Sequence, residues 1–488
     1  MAAIEHLSRL PGITSLKVKI VVPKTFLVRQ WARDLREHLS VPRTDIGTYS
    51  GTQKSSPDKK FMIYVINSAR YSLAKHVLDN FSKSEPVFLI ADECHHYGTE
   101  ENSRIFDFFP FIKKNRFYSL GLSATPNCRH FEDVLVPYLG REIYRFSFNR
   151  ALSANIISKF AIFHICLKFS SFEKGEYDEL SNQISLAFSN LRKACPNLGA
   201  RDSYSFFAKL HNIIESSRAP EAIENAQLLL MLSYQRKEIV HQASARVDCV
   251  LRLVPLIRSD AKIIIFGERI ERADELYEKL CMVYPNEVGL FHSGLPKSMG
   301  EFALKRFEVG EIRILVSCKS LDEGLSVNEA DVGIIVSSTM SNRQRVQRLG
   351  RILRKKGTDR LAYFYYLYIG DTTEESDILR DHLSGLDRHV SVIDLQYDDK
   401  LGQFYNNYYD KLTKPIVEQV MENGWVSAAV SELLRNFNKG LITCDWWMTE
   451  ETCLEHIREA KDKATRNYYV AMLYLVRSNA PNPLRHKS

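Results

Sequence analysis

Short runs of consecutive apolar residues, each followed by an amphipathic helical stretch, recur through most of this sequence. In the first 150 residues these runs are Val18–Val22, Phe61–Ile66, Val87–Ala91 and Phe117–Leu122. Between the first two runs, Leu27, Trp31 and Leu35 recur every four residues, which is the spacing of one helical face. Strands that are apolar on both faces are typical of a parallel sheet covered by helices. The pattern predicts a doubly wound α/β domain over residues 1–150.

The same alternation returns in the second half of the chain. Its apolar runs are Ile263–Phe266, Ile312–Val316, Val332–Val336 and Leu361–Leu367. They predict a second α/β domain over residues 256–395. Between the two domains, residues 151–255 have a charge-rich helical pattern, which predicts a helical connector or insertion. Residues 396–488 are also mainly helical and rich in aromatic residues, so we expect a helical accessory domain there.

Composition limits the classes of protein to which the chain can belong. Of its 488 residues, 45% are hydrophobic and 26% are charged, which is the balance of an ordinary soluble globular protein. No apolar run approaches the ~18 residues that a membrane span needs, so we expect no membrane partner. Its nine cysteines form no C-x-x-C pair, which favours reduced thiols in a cytoplasmic, intracellular protein. The net charge of +7 permits a polyanionic partner without requiring one.

Two adjacent carboxylates, Asp92 and Glu93, follow the apolar run Val87–Ala91 in the sequence VFLIADECHH. Ligands of open α/β sheets bind beyond the carboxyl ends of the strands, where these side chains are expected. In a nucleoside triphosphatase, Asp92 would hold Mg²⁺ and Glu93 would orient the attacking water and accept its proton. A solvated turn is the competing interpretation. A metal cluster of residues 92–96 is disfavoured because neighbouring side chains of an extended chain point to opposite faces.

The run Phe117–Leu122 is followed by Ser123-Ala124-Thr125-Pro126. Small hydroxyl residues at strand ends often only cap the next turn. Ser123 and Thr125 are candidate site residues because they follow the strand that comes next after the carboxylate strand.

A basic helix is predicted over residues 344–356, whose sequence is QRVQRLGRILRKK. Gln347, Arg351 and Arg354 are spaced at i, i+4 and i+7, so one helical face presents an amide and two guanidinium groups. Guanidinium groups bind phosphate oxygens in a bidentate way. A solvated basic helix is the competing interpretation.

Taken in order, DECH, SATP and QRLGRILR resemble motifs II, III and VI of the superfamily-two helicases of the DEAD/DEAH type. The spelling QRLGRILRKKG is similar to the branch that contains the xeroderma-pigmentosum-B helicase. Three further segments fit motifs Ia, IVa and V of that family: IVVPK with Gln30 and Trp31, FHSG at 291–294, and SCKSLDEG at 317–324. The resemblance covers about residues 1–395 and implies two RecA-like domains that use ATP and Mg²⁺ to move on nucleic acid. The family branch favours DNA over RNA.

The resemblance also implies roles for individual residues. Asp92 and Glu93 would handle Mg²⁺ and water, while Gln347, Arg351 and Arg354 would serve the γ-phosphate. The residues that would couple the nucleotide to the second domain are His95, Ser123, Thr125, Asp322 and Gly324. The residues that would face the nucleic acid backbone are Lys24, Arg70, His292 and Ser317.

The phosphate-binding loop of this family, G-x-x-x-x-G-K-(S/T), is absent from the sequence. Ile4, Leu7 and Leu10 lie on one face of a predicted helix, into which this loop leads in relatives. We therefore expect the loop and its strand immediately upstream of Met1. A wrongly assigned start, a decayed or split gene, and a genuine non-hydrolysing binder are three accounts of the absence. Retention of Asp92 with the two arginines favours the first.

Two functions follow from the sequence. One is an ATP-dependent DNA helicase or translocase, which the isolated chain could not perform well without the loop. The other is a non-hydrolysing nucleic-acid-binding or scaffold subunit. The C-terminal helices could add a protein partner or stack on bases through Tyr408-Tyr409, Trp446-Trp447 and Tyr468-Tyr469. We favour a small helical core as the role of these aromatic pairs.

Overall fold

The structure is a computed structural model of the 488-residue chain. The residues that it describes are 1–13, 15–51, 53–112, 114–123, 130–146, 150–151, 154, 156, 160–196, 198, 204–217, 219–318, 330–337, 362–375, 391–405, 417–422, 426–438 and 449–478. Within them, no helix has both the length and the apolar character needed to cross a bilayer. The chain divides into two compact units, the first of which contains residues 1–147.

A six-stranded sheet forms the centre of the first unit. Its strands are β1 Lys17–Val22, β2 Ile46–Ser50, β3 Gln53–Lys54, β4 Phe61–Val65, β5 Val87–Asp92 and β6 Phe117–Leu122. Their order across the sheet is β3-β2-β4-β1-β5-β6, and all neighbours are parallel except β2 and β3. The sequence predicted β1, β4, β5 and β6, and the structure confirms them.

Helices cover both faces of this sheet, which is why its central strands are apolar on both sides. The helices are α1 Ala2–Ser8, α2 Thr25–Leu39, α3 Ile66–Ser82, α4 Glu100–Ser103 and α5 Val136–Leu139. On one face, Val18 and Ile20 pack with Leu27 and Leu35 of α2. On the other face, Val21 belongs to the core that α3 completes.

The second unit contains an eight-stranded sheet. Its strands are β7 Phe160–Leu167, β8 Ile263–Gly267, β9 Val288–Phe291, β10 Ile314–Cys318, β11 Val332–Ile335, β12 Ala362–Ile369, β13 Ser391–Asp398 and β14 Gln403–Tyr405. The order is β14-β13-β7-β12-β11-β8-β10-β9, and only β14 pairs in the antiparallel direction. The prediction of two parallel α/β domains is therefore confirmed.

Two of the predicted domain boundaries need correction. Residues 151–255 were predicted to be a helical connector, but β7 lies within that range and pairs with β12 and β13 in the second sheet. The segment FAIFHICL is apolar and almost fully buried, as a central parallel strand requires. The second sheet also continues past residue 395, because β13 ends at Asp398 and β14 follows it.

The remaining helices of the second unit cover its sheet or form separate clusters. They are α6 Ser171–Ala194, α7 Tyr204–Ser216, α8 Pro220–Gln242, α9 Ala245–Leu253, α10 Ile270–Val283, α11 Lys297–Val309, α12 Ala428–Asn438, α13 Glu450–Glu459 and α14 Lys463–Arg477. Helices α6, α7 and α8 share a core of their own, as expected of a helical insertion. Helices α12, α13 and α14 form another core, in which Tyr468 and Tyr469 are buried. The interpretation of that aromatic pair as core is confirmed, and the other two pairs lie outside the described residues.

One charged side chain lies inside the first sheet. Lys19 of β1 is fully buried, and its ammonium group donates to the carbonyl oxygen of Pro57 at 2.8 Å. Burial, assisted by the positive charge of Lys17, lowers the pKa of Lys19 from 10.5 to about 8. The folded chain therefore binds this proton less tightly than the unfolded chain does.

We predict that Lys19 makes the stability of the first unit depend on pH. Between pH 8 and 10.5 the unfolded chain binds more protons at this group, so the contribution of Lys19 to the free energy of unfolding rises with pH, by up to about 3 kcal/mol. Lys19→Met removes the cost of burying the charged ammonium group, so the variant should unfold with a higher free energy than the wild type near pH 8. This difference in the free energy of unfolding should shrink as the pH rises from 8 to 10.5. The difference is measured by denaturant unfolding followed through the fluorescence of Trp31, the one tryptophan of residues 1–147.

The matched control is Val18→Ala, which alters a buried neutral residue of the same strand. Its stability difference from the wild type should not change with pH in this window. If the free energy of unfolding of Lys19→Met differs from that of the wild type by the same amount at every pH in this window, the prediction is wrong.

Candidate active site at the end of strand β5

The carboxyl ends of the parallel strands β1, β4, β5 and β6 lie at one edge of the first sheet. Strand β5 ends at Asp92, and Glu93 then adopts a left-handed backbone conformation with φ 49° and ψ 49°. A 3-10 turn over Cys94–Gly98 follows. A left-handed conformation is uncommon for a residue with a side chain, and costs about 1–3 kcal/mol. It turns the chain sharply directly after the two carboxylates.

The Asp92 carboxylate is held by hydrogen bonds on both of its oxygens. The indole Nε1–H of Trp31 donates to Oδ2 at 2.8 Å, and the backbone N–H of Glu93 donates to Oδ1 at 3.1 Å. Burial raises the pKa of Asp92, and these two donors partly oppose that rise. The side chain is therefore fixed in orientation.

Tyr97 ties the turn back to the sheet. Its buried hydroxyl group shares one proton between the carbonyl oxygens of Asp92, at 2.7 Å, and Val21, at 3.0 Å. Burial raises the pKa of Tyr97 well above its ordinary value, so the hydroxyl remains a donor. The end of β5 is thereby joined to the end of β1.

His95 lies between the acidic turn and the end of β6. Its Nδ1 atom is 2.9 Å from the hydroxyl oxygen of Ser123 and 3.5 Å from Oε2 of Glu93. The ring is almost fully buried, whereas the Glu93 side chain remains 26% exposed. The structure thus brings together three residues that the sequence predicted as site members, Glu93, His95 and Ser123. Their chemical roles stay predictions.

The end of β6 lies close against the turn because of Gly121. A Cβ atom at this position would lie 3.2 Å from Sγ of Cys94 and 3.1 Å from Cδ1 of Leu139. These distances are tighter than ordinary van der Waals contact. Glycine at 121 therefore permits the close approach that places Ser123 beside His95.

The oxygen atoms of Asp92 suit a hard divalent cation. Each accepts one hydrogen bond from the described residues, and a carboxylate oxygen has two lone pairs, so with respect to these residues each retains one acceptor position. Among the described residues, no group of three or more His, Cys, Asp or Glu side chains could hold a metal ion by itself. Mg²⁺ is commonly bound by one or two carboxylates together with substrate phosphates and water. The turn fits a Mg²⁺ ion of that kind.

Two predicted nucleic-acid contacts lie in the first unit. Lys24 precedes α2 and is exposed. Arg70 on α3 is 16% exposed, forms an ion pair with Glu101 and donates to Oδ1 of Asn67 at 2.6 Å. An intramolecular pair thus occupies the guanidinium group of Arg70 in this structure. Nucleic acid binding by either residue stays a prediction.

The other two predicted nucleic-acid contacts lie in the second unit, at the ends of β9 and β10. His292 is buried; its Nε2 is 2.9 Å from Oδ1 of Asp274, and its Nδ1 accepts from the backbone N–H of Gly294 at 3.1 Å. Ser317 is 1% exposed, and its hydroxyl oxygen has no hydrogen-bond partner among the described residues. Neither side chain lies at an open surface here, and their predicted role is untested.

Six predicted site residues lie outside the described residues. They are Thr125, Asp322, Gly324, Gln347, Arg351 and Arg354. Their roles rest on the sequence alone.

Sequence reasoning missed the partners that orient the acidic turn. Trp31 was recognised as an apolar position on a helical face and as part of the motif Ia segment, but not as a hydrogen-bond donor, and Tyr97 was not identified at all. The signal for Trp31 was its place in the motif Ia segment, but the spacing of apolar residues carries no information about the indole N–H. Tyr97 directly follows the DECHH segment. A tyrosine at that position would fit many kinds of buried turn, so the sequence alone does not indicate its hydrogen bonds.

Two sequence families match the chain, one in each half. Residues 1–128 match the family described as the type III restriction enzyme res subunit, and residues 245–356 match the helicase conserved C-terminal domain. The second match includes Gln347, Arg351 and Arg354.

Known proteins similar to the chain are helicases and translocases by name. It is 27% identical over 354 residues to the DNA 3'-5' translocase XPB2 of Sulfurisphaera tokodaii, covering 72% of each chain. It is 24% identical to the DNA 3'-5' helicase XPB of Kineococcus radiotolerans, covering 73% of this chain and 53% of that protein. The chain thus spans only about half the length of the second relative. Among solved structures, the Hef helicase domain of Pyrococcus furiosus matches with a TM-score of 0.47 and 17% identity, covering 78% of this chain and 91% of that one.

We predict that Tyr97→Phe destabilises the first unit by about 1–3 kcal/mol, because it leaves two inward-facing carbonyl oxygens without their shared donor. Denaturant unfolding followed by Trp31 fluorescence measures the loss. Tyr118→Phe is the matched control, since the Tyr118 hydroxyl makes no hydrogen bond to a described residue. Equal stabilities for the two variants would contradict the role assigned to Tyr97.

Proposed function

We propose that the chain is an ATP-dependent helicase or translocase acting on DNA, of the XPB-like branch of the superfamily-two helicases, because its two family matches and its relatives named as XPB helicases and translocases point to that group. The observation that carries the proposal is the turn after β5, where Asp92, Glu93, His95 and Ser123 gather at the carboxyl edge of a parallel sheet. Open α/β sheets bind their ligands at this edge. The names of the relatives support DNA as the nucleic acid.

In the proposed mechanism, Asp92 would contribute an oxygen ligand to the Mg²⁺ that accompanies ATP. When bound, that ion would neutralise charge on the phosphate oxygens. The hydrogen bonds from Trp31 and from the Glu93 backbone hold the carboxylate still, so little reorganisation is needed when the nucleotide binds.

Glu93 is the proposed general base. Its side chain is partly exposed, and the left-handed backbone places it at the surface of the turn, where water can reach it. It would orient the attacking water and accept its proton. Gln347, Arg351 and Arg354 are the proposed γ-phosphate contacts from the second half of the chain.

His95 is the proposed link between hydrolysis and the rest of the first unit. It is within 3.5 Å of Glu93 and hydrogen-bonds Ser123 at the end of β6. A change in the position or protonation of Glu93 would therefore be transmitted to the end of β6 through the buried His95 ring. Thr125, Asp322 and Gly324 are proposed to continue this coupling.

A second candidate function is supported by the sequence itself, which contains no phosphate-binding loop. A chain without that loop lacks most of the contacts that hold the β- and γ-phosphates. It could bind nucleic acid through the same surfaces without hydrolysing ATP. Binding that is indifferent to ATP and to Glu93→Gln would support this candidate.

We predict DNA-stimulated ATP hydrolysis once a phosphate-binding loop is supplied. The experiment compares the 488-residue chain with the same chain fused at Met1 to a strand and a phosphate-binding loop of the form G-x-x-x-x-G-K-(S/T). The fused chain should hydrolyse ATP faster with single-stranded DNA than without it, and the unfused chain should be slower. A fused chain that binds DNA but shows no hydrolysis would contradict the proposed motor.

We also predict that DNA binding is dominated by phosphate contacts and weakens steeply with salt. The logarithm of the binding constant should fall linearly with the logarithm of salt concentration, by about 0.7 per phosphate contact on single-stranded DNA. Lys24→Gln removes one such contact and should reduce this slope by about 0.7. The measurement is fluorescence anisotropy across a salt series.

Lys60→Gln is the matched control for this measurement. Lys60 is also exposed, but it precedes β4 at the opposite, amino end of the same parallel strands. Its substitution should leave the slope unchanged. If both substitutions change the slope equally, Lys24 has no special role at the carboxyl edge.

A further inference from the structure

Trp31 makes a contact that packing does not require. It lies on α2, on the same helical face as the buried residues Leu27 and Leu35, and its ring is half-buried against the core of that face. A phenylalanine would fill a similar space. The indole adds one N–H donor and no acceptor, and this donor points to Oδ2 of Asp92 at 2.8 Å.

This hydrogen bond fixes the rotation of the Asp92 carboxylate. The backbone N–H of Glu93 binds Oδ1, and the Tyr97 hydroxyl holds the carbonyl oxygen of Asp92. The Glu93 and Tyr97 donors come from the turn itself. Among the described residues, Trp31 is the donor to the Asp92 carboxylate that comes from another element of the fold. Its N–H therefore sets the direction of the carboxylate relative to the helix and the sheet.

We propose that Trp31 is a positioning residue for divalent-cation binding at Asp92. The inference rests on the proposed function, which assigns Asp92 to the Mg²⁺ of the nucleotide. Hydrogen bonds from outside the ligand set orient metal-binding carboxylates, and their loss commonly weakens metal binding by about 10–100-fold. Trp31 touches no substrate in this role and acts through Asp92 alone.

The competing interpretation is that Trp31 only satisfies a partly buried carboxylate and stabilises the fold. Both interpretations predict some loss of stability when the N–H is removed. They differ in the affinity for a cation, which a purely structural role leaves unchanged in the folded variant. Cation affinity is therefore the readout that separates them.

The test uses the full 488-residue chain and Mn²⁺ alone as the probe. Trp31→Phe keeps the aromatic packing and deletes the donor. Free Mn²⁺ is measured by electron paramagnetic resonance, and the Asp92→Ala variant defines binding by all other groups. Trp31→Phe should weaken the Asp92-dependent binding by about 10-fold or more.

Leu35→Ala is the matched control. It removes buried packing from the same helix without touching the hydrogen bond to Asp92. Circular dichroism establishes that each variant is folded. Leu35→Ala should bind Mn²⁺ as the wild type does; equal affinities for the wild type and Trp31→Phe would overturn the proposal.

A second measurement uses the indole N–H signal of Trp31. Mn²⁺ at Asp92 would lie close to this indole, so the signal should broaden in the wild type. In Asp92→Ala the broadening should disappear. Equal broadening of the Trp31 signal in the wild type and in Asp92→Ala would also overturn the proposal.

The outcomes separate this inference from the proposed function. Unchanged Mn²⁺ affinity in Trp31→Phe removes the role of Trp31 and leaves the helicase proposal intact. Conversely, if the chain with a fused phosphate loop fails to hydrolyse ATP, the motor fails, while a loss of Mn²⁺ affinity in Trp31→Phe would still stand.

Discussion

A carboxylate pair at the end of a buried parallel strand is the constraint on which the candidate site depends. Strand β5 is flanked by β1 and β6, so its backbone polar groups are satisfied within the sheet up to Asp92. The chain must then turn within one residue, and Glu93 does so in a left-handed conformation. Backbone strain of this kind persists only where the surroundings hold it in place. Here the Tyr97 hydroxyl and the buried His95 ring do so.

Helix α2 connects two parts of this edge of the sheet. Its preceding residue, Lys24, is the exposed cation proposed to contact DNA, and Trp31 further along the helix donates to Asp92. Seven residues of helix correspond to about 10 Å of rise. The proposed nucleic-acid contact and the proposed cation ligand are therefore joined by one short rigid element.

Much of the fold could be predicted because the central strands are continuous apolar runs. β1, β5 and β8 are buried on both faces, and that burial requires the composition from which they were predicted. β7 is equally apolar, but its neighbours β12 and β13 lie far along the chain, and local patterns cannot reveal such pairings. β2, with the sequence IGTYS, is half-buried and has no apolar run.

The candidate site was predictable in its residue types and less so in its contacts. Glu93, His95 and Ser123 were predicted as site members and lie together, because the carboxyl ends of parallel strands meet at one edge. The Trp31 N–H was not predictable, since apolar periodicity treats indole as a hydrophobic ring. The pairing of Arg70 with Glu101 was also missed, because it depends on how α3 and α4 pack.

The most direct measurement of the central claim is single-turnover ATP hydrolysis by the chain carrying a fused phosphate-binding loop, with Glu93→Gln compared with the wild type. General-base catalysis is worth about 10²–10⁴-fold in rate, so the variant should lose that much while its DNA affinity is retained. Hydrolysis by Glu93→Gln at the wild-type rate would contradict the assignment of the turn after β5 as a hydrolytic centre.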